Sequence, residues 1–146
     1  FIINKPFDFT LGEVMPEVNK DLPLYYGGPV DMDQLFFIYK DKEQRLDRSK
    51  MIGEDLYFGG DIDTALTHIE HGQLGHHNCR FFLGYSGWAK GQLEEEIDLG
   101  NWIIQSPKPQ TTFFDFPAEE LWRNAMIKKG GDYRIWADTP DNPNYN

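Results

Sequence analysis

FFLGYSGWAKGQLEEEI, residues 81–97, reads as a buried strand, a glycine turn and a helix in close succession. With Arg80 before it, Phe81-Phe82-Leu83 is a short run of strand-forming residues, the composition of a strand covered on both faces. Gly84 and Gly87 permit backbone angles that a Cβ would forbid, so the chain can turn sharply there. The pattern then predicts a helix from about Trp88 to about Leu99. At about 100° per residue, Ala89, Leu93 and Ile97 share one face of it. Gln92 and Glu96, four residues apart along the edge of that face, are close enough for an amide–carboxylate hydrogen bond. Gly100 suits the helix end, and Trp102-Ile103-Ile104 resumes the apolar pattern.

Working outward, the same signals recur. Phe1-Ile2-Ile3 reads as the end of a buried strand, stopped at Asn4-Lys5-Pro6. Thr10 and Glu13 form a capping box for a short helix that Pro16 ends. Pro23–Tyr26, Leu35–Tyr39 and Leu56–Phe58 are strands, with a solvated loop or hairpin of mixed charge from about Lys40 to Lys50. Asp61 caps a helix that buries Ile62, Ala65, Leu66 and Ile69 and ends at Gly72. Thr111–Phe116 reads as a strand, and Pro117 fits the first position of a helix with Ala118, Leu121, Trp122, Ala125 and Met126 as its apolar stripe. Tyr133–Trp136 can form a last edge strand. Strands and short helices alternate without a regular βαβ rhythm, which predicts an α+β fold on a mixed sheet.

Gly84-Tyr85-Ser86-Gly87-Trp88, then Gly91-Gln92-Leu93-Glu94 with Glu96-Ile97, then Trp102, resembles the AlgH/YqgE family of bacterial proteins. Ile3-Asn4-Lys5-Pro6, Gly27-Gly28-Pro29-Val30, Gly59-Gly60-Asp61 and Leu121-Trp122 fall in the family's order, so the resemblance covers nearly the whole chain. It implies a branched mixed sheet curled into a partial barrel with helices outside. Family members carry further residues, including strand, before the Ile-Asn-Lys-Pro motif, so the chain is expected to be part of a longer one. The reading is one AlgH-like domain over residues 1–137, lacking that N-terminal strand region, and a loose tail over 138–146. Losing those strands would leave a sheet edge or core face uncovered, a route to oligomerisation.

Twenty-four acidic and 14 basic side chains give a formal net charge of −10. Nucleic-acid affinity comes from Lys and Arg neutralising phosphates, and no compact basic patch offsets this charge, so direct nucleic-acid binding is not expected. Acidic membrane surfaces are disfavoured for the same reason, and no apolar run approaches a membrane-spanning length. One cysteine, Cys79, rules out an internal disulfide and suits the cytoplasm, the expected location.

Gly84-Tyr85-Ser86-Gly87-Trp88 begins like a nucleophile elbow but has Trp88 where the elbow needs glycine. No histidine follows His77, and in the family the position of Ser86 is often Ala. Ser86 is read as a turn hydrogen-bonder, and no catalytic residue is assigned. His68, His71, His76, His77 and Cys79 match no zinc spacing. His68 and His71 should point to solvent, where they are weak surface metal candidates; no physiological metal or cofactor is expected.

Gln92 and Glu96 should reach back to backbone groups of the Gly84–Gly87 turn. A functional alternative has Tyr85, Ser86, Trp88, Gln92 and Glu96 lining a shallow ligand or partner site beside Gly27 and Gly28. The sequence therefore favours a non-catalytic protein that binds a partner protein or small ligand. The resemblance adds a regulatory association, since members are often labelled transcriptional regulators. A third reading is a hydrolase using Tyr85 and Glu96.

Overall fold

The computed structural model describes residues 1–18, 21–105 and 113–138. By internal contacts the chain divides into two compact units, Phe1–Gly87 and Trp88–Asn146. The first unit holds a six-stranded mixed sheet of order β1-β2-β6-β3-β5-β4, which does not close on itself. Its strands are β1 (Pro6–Thr10), β2 (Pro23–Tyr26), β3 (Val30–Lys40), β4 (Lys50–Gly53), β5 (Leu56–Phe58) and β6 (Cys79–Tyr85). Two helices, α1 (Leu11–Val14) and α2 (Ile62–Glu70), belong to the same unit.

β6 is central because its side chains are apolar on both faces. It pairs parallel with β2, Leu24 opposite Phe81, and antiparallel with β3, Phe37 opposite Phe81. Phe81 joins Leu24, Phe37 and Tyr39 of the sheet and Leu11, Ala65 and Ile69 of the two helices in one core. Phe82, the next residue, points the other way. Its ring lies 5.9 Å from Tyr25 and 4.9 Å from Phe1.

Glu13 accepts from the Thr10 amide at 2.7 Å, which is one half of the expected capping box, while Thr10 Oγ1 is buried without a hydrogen bond among the described residues. Asp61 accepts from the Thr64 amide at 3.0 Å, as an N-cap should. α2 buries Ala65 and Ile69 as expected, but His68 is also buried, at 8 % exposure. The expectation that His68 faces solvent is therefore corrected. It sits three residues after Ala65 and next to Ile69, so it falls within the buried stripe. His71 is exposed, its Nδ1 2.8 Å from the Thr67 carbonyl.

The start of the chain differs from expectation. The first strand begins at Pro6 rather than ending there, because proline is tolerated as the first residue of an edge strand. Residues 1–5 are irregular and are held by hydrogen bonds from the Ile2 amide to the Gly27 carbonyl and from the Tyr26 amide to the Lys5 carbonyl.

The charged stretch from Lys40 to Lys50 is more ordered than a solvated loop. Leu46 and Ser49 are buried there. The Tyr39 hydroxyl accepts from the Leu46 amide at 2.7 Å and donates to Ser49 Oγ at 3.0 Å. β4, which follows, is exposed at all four positions, so no alternation announces it.

The second unit holds α3 (Gln92–Asp98), a 3₁₀ turn (Phe113–Asp115), α4 (Ala118–Lys129) and α5 (Tyr133–Trp136). Among its described residues two expected strands are absent. Phe113–Asp115 is one 3₁₀ turn, and Thr111 and Thr112 lie outside the described residues. Tyr133–Trp136 is one turn of exposed helix. Strand-forming side chains make a strand only where a sheet offers them a partner. α4 buries Ala118 and Met126, whereas Trp122 of the expected stripe is 41 % exposed. Pro117 stands one place earlier than expected, as the N-cap. Of the expected tail, residues 139–146 lie outside the described residues, and Asp138 pairs with Arg123 at 2.9 Å. Among the described residues no helix is long and apolar enough to cross a membrane.

Candidate functional site

The glycines of the signature let two segments of backbone touch. A Cβ on Gly27 would lie 2.1 Å from the Gly84 carbonyl oxygen, and one on Gly28 2.2 Å from the Tyr85 carbonyl carbon. A Cβ on Gly84 would lie 2.4 Å from the Gly28 oxygen and 2.8 Å from the Val30 oxygen. The room these glycines leave is filled by the chain itself. The Gly27 amide donates to the Leu83 carbonyl at 2.9 Å, which ties the crossing to β6. Ser86 Oγ donates to the Gly27 carbonyl at 3.4 Å, the turn role expected of it. Tyr85 is half-buried and packs edge-on against Phe36 at 5.7 Å.

A second cluster lies within the second unit and is built on one carboxylate. The helix α3 starts at Gln92, four residues later than expected, because Gly91 takes a left-handed φ of +85° before it. Trp88 and Ala89 therefore belong to a turn. Gln92 Oε1 accepts from the Ala89 amide at 3.0 Å, and the Gln92 amide donates to the Ala89 carbonyl at 3.0 Å. The Gln92 side chain thereby closes the turn that leads into the helix. Its Nε2 donates to Glu96 Oε1 at 2.8 Å, the contact that the i, i+4 spacing predicts.

The other carboxylate oxygen gathers two indoles. Glu96 Oε2 accepts from Trp102 Nε1 at 2.8 Å and, over a longer 3.4 Å, from Trp88 Nε1. The two rings meet edge-on with centroids 5.8 Å apart. Gln92 and Glu96 thus bond to groups at positions 88–102, which corrects their expected reach to the Gly84–Gly87 backbone. Local donors are closer in sequence and satisfy the same lone pairs. Trp102 is the member that sequence reasoning did not place in the site. The usable signal is an indole N–H, a donor that seeks an acceptor, just beyond a helix ended by Gly100 at φ +77°.

The carboxyl of Glu96 is held below the usual carboxylate range, first by the Gln92 hydrogen bond and then by that from Trp102, against a desolvation effect that outweighs only the weaker Trp88 contact. A depressed folded-state pKa stabilises the cluster above the unfolded-state value, and that contribution is lost as pH falls through the folded value. The expected result is that the Trp88 and Trp102 indole N–H resonances move together on acidification below the usual carboxylate range. In Glu96→Gln that coupled acid shift should vanish. A two-dimensional ¹H–¹⁵N titration checks it. Indoles that stay still in the native protein throughout would separate them from Glu96.

The histidines and the cysteine do not converge. The Cys79 thiol lies in the core, and burial drives its pKa far above the usual thiol range, which makes it an inert sulfur. His76 and His77 are exposed and His68 is buried in α2. Among the described residues no three His, Cys, Asp or Glu side chains form a metal-holding group.

An open mixed sheet crossed at Gly27-Gly28 and Gly84, followed by a turn and helix wired through one glutamate, defines the class of fold. The chain belongs to the AlgH-like family, whose model matches residues 1–134. It is 40% identical over 147 residues to a UPF0301 protein of the bacterium Cytophaga hutchinsonii, covering 100% of this chain and 80% of that protein. A UPF0301 protein of Chlorobium limicola is 36% identical, with 100% and 78% covered. Among solved structures, the AlgH protein of Pseudomonas aeruginosa superposes with a TM-score of 0.68 at 27% identity, over 96% of this chain and 76% of that one. A Corynebacterium diphtheriae protein shares the fold with a TM-score of 0.69 at 22% identity, over 94% and 73%.

Proposed function

We propose that this chain is a non-catalytic binding protein. Its partner is a protein segment with an apolar anchor flanked by basic residues, and the anchor seats on Trp88 and Trp102. One observation carries this reading: two exposed indoles have both N–H groups committed to a single carboxylate. Trp88 is 37 % and Trp102 44 % exposed. Because Glu96 takes their polar edges, what they offer outward is ring surface. Their rotamers are already fixed, so a partner loses less entropy in ordering them. Tryptophan dominates binding hot spots for its large, rigid contact area. Glu94, Glu95 and Asp98 of α3 are exposed around the same helix, which favours a basic rim on the partner.

A small peptide library with one aromatic or aliphatic anchor between Lys and Arg residues tests this by fluorescence anisotropy. Trp102→Ala is expected to weaken the best binder about 30-fold, the scale of a 2 kcal/mol hot spot. Trp122→Ala, an exposed tryptophan of α4, should leave affinity within about twofold of the native protein. Equal loss in both variants, or none in either, would count against the assignment.

A regulatory role, if the chain has one, would then act through the partner rather than on DNA, as the net charge of −10 also favours. The cytoplasm fits its lone buried thiol. The hydrolase reading is the weaker one. A general acid must hold a proton near neutral pH, and Glu96 is held ionised by three donors.

A further inference from the structure

His68 is buried in α2, yet its ring lines a cleft of about 370 Å³ at the end of β3. No hydrogen bond to its imidazole occurs among the described residues. The carbonyl of the same residue is occupied, accepting from the Gln73 and Leu74 amides at 2.8 and 3.1 Å. The ring nitrogens are not sealed from solvent, so they can bond what enters the cleft.

The walls say what that could be. All the residues lining the cleft are polar, so a ligand meets charged and amide groups set among the apolar stems that carry them. Lys40 and Lys42 supply two ammonium groups, and Asp41 and Glu43, interleaved with them, supply two carboxylates. Gln44, Gln73 and Asn78 add amides, which can donate and accept. A simple anion would meet the carboxylates as well as the lysines, and a simple cation the reverse. A small molecule bearing both signs satisfies both sets.

Much of the wall is already set. Asn78 Nδ2 donates to the Gln73 carbonyl at 2.9 Å, and its Oδ1 accepts from the Gly75 amide at 2.9 Å. Asp41 Oδ1 accepts from the Glu43 and Gln44 amides at 2.8 and 3.0 Å. The Lys40 amide donates to the Asn78 carbonyl at 2.8 Å, which holds the two sides of the cleft together. Such a frame lowers the ordering cost of binding.

We propose that this cleft binds a small zwitterion of the free α-amino acid class, with the carboxylate toward Lys40 and Lys42, the ammonium toward Asp41 and Glu43, and His68 bonding a polar side chain of the ligand. The site uses neither Trp88 nor Trp102 and does not rest on the partner-binding reading.

The test is a ¹³C-edited NMR titration of the His68 ring resonances with L-glutamine and L-serine, and with acetate and ethylammonium as half-ligands at matched ionic strength. Saturable shifts are expected with an amino acid, at least about tenfold tighter than with either half-ligand, since one lost charged contact is worth about that factor. Lys42→Gln, an exposed position, should weaken binding and keep the native amide spectrum. His68→Gln should bind more weakly, with native-like folding confirmed by the same spectrum. No saturable shift with either amino acid would overturn the proposal. Acetate binding as tightly as L-glutamine would also overturn it, and would make the cleft an anion site.

Discussion

Gly84→Ala is expected to unfold the sheet. The new Cβ would sit 2.4 Å from the Gly28 oxygen and 2.8 Å from the Val30 oxygen, both backbone atoms that no rotamer change can move. Gly84 also has a φ of +69°, where an L side chain costs about 1–2 kcal/mol on its own. Relief would require the Gly27-Gly28 segment to withdraw from β6 and the start of β3 to shift. Together these place the loss above about 4 kcal/mol, a large part of the 5–15 kcal/mol that holds a typical domain together. Gly91→Ala is the control. Its φ of +85° carries a similar conformational cost, but nothing lies within 4 Å of its Cβ position. It should lose only about 1–2 kcal/mol. Urea unfolding followed by far-ultraviolet circular dichroism reads both. Gly84→Ala unfolding no more easily than Gly91→Ala would refute the crossing as a fold determinant.

Phe81→Ala is the second large loss. Phe81 is 1 % exposed, stands between Leu24 and Phe37 in the sheet register, and has its ring 5.5 Å from that of Phe37. Truncation removes the ring and leaves a cavity that strands pinned on both sides cannot close, so about 4 kcal/mol should be lost. The urea midpoint should fall while the slope of free energy on urea stays constant. Leu99→Ala, at a residue 76 % exposed, should change stability by no more than about 0.5 kcal/mol. A Phe81→Ala loss below about 2 kcal/mol would mean that the centre of the sheet repacks.

What could be read from sequence is what depends on neighbours along the chain. β2, β5, β6 and the apolar half of β3 announce themselves as apolar runs, and α2 by its Asp61 cap and its spacing. The Gln92–Glu96 hydrogen bond follows from helical periodicity alone. What could not be read depends on neighbours in space. β4 exists because β5 offers it an edge, although none of its four residues is buried. Phe113–Asp115 and Tyr133–Trp136 have strand composition and form helical turns instead. The glycines at 27, 28 and 84 stand out as unusual, but their mutual contact joins distant segments. Trp102 joins Glu96 only because the chain turns back after Gly100. His68 looks exposed when only Ile62, Leu66 and Ile69 define the helix face, and Ala65 widens that face enough to take it in.

The strand order also bears on how the chain is made. β6 is the last of the described strands to be synthesised, yet it lies in the middle of the sheet, between β2 and β3. Until Tyr85 clears the ribosome, the nascent chain holds two half-sheets, β1–β2 and β3–β5–β4, each with a bare hydrogen-bonding edge. The β2–β6 pairing is parallel and spans a long stretch of chain, which makes it slow to close. Bare edges of this kind pair readily with strangers. A chain whose synthesis ends before Cys79 therefore lacks the strand that joins its two halves and is expected to need a chaperone to shield their edges, a need that ends once Tyr85 has left the ribosome and β6 can insert.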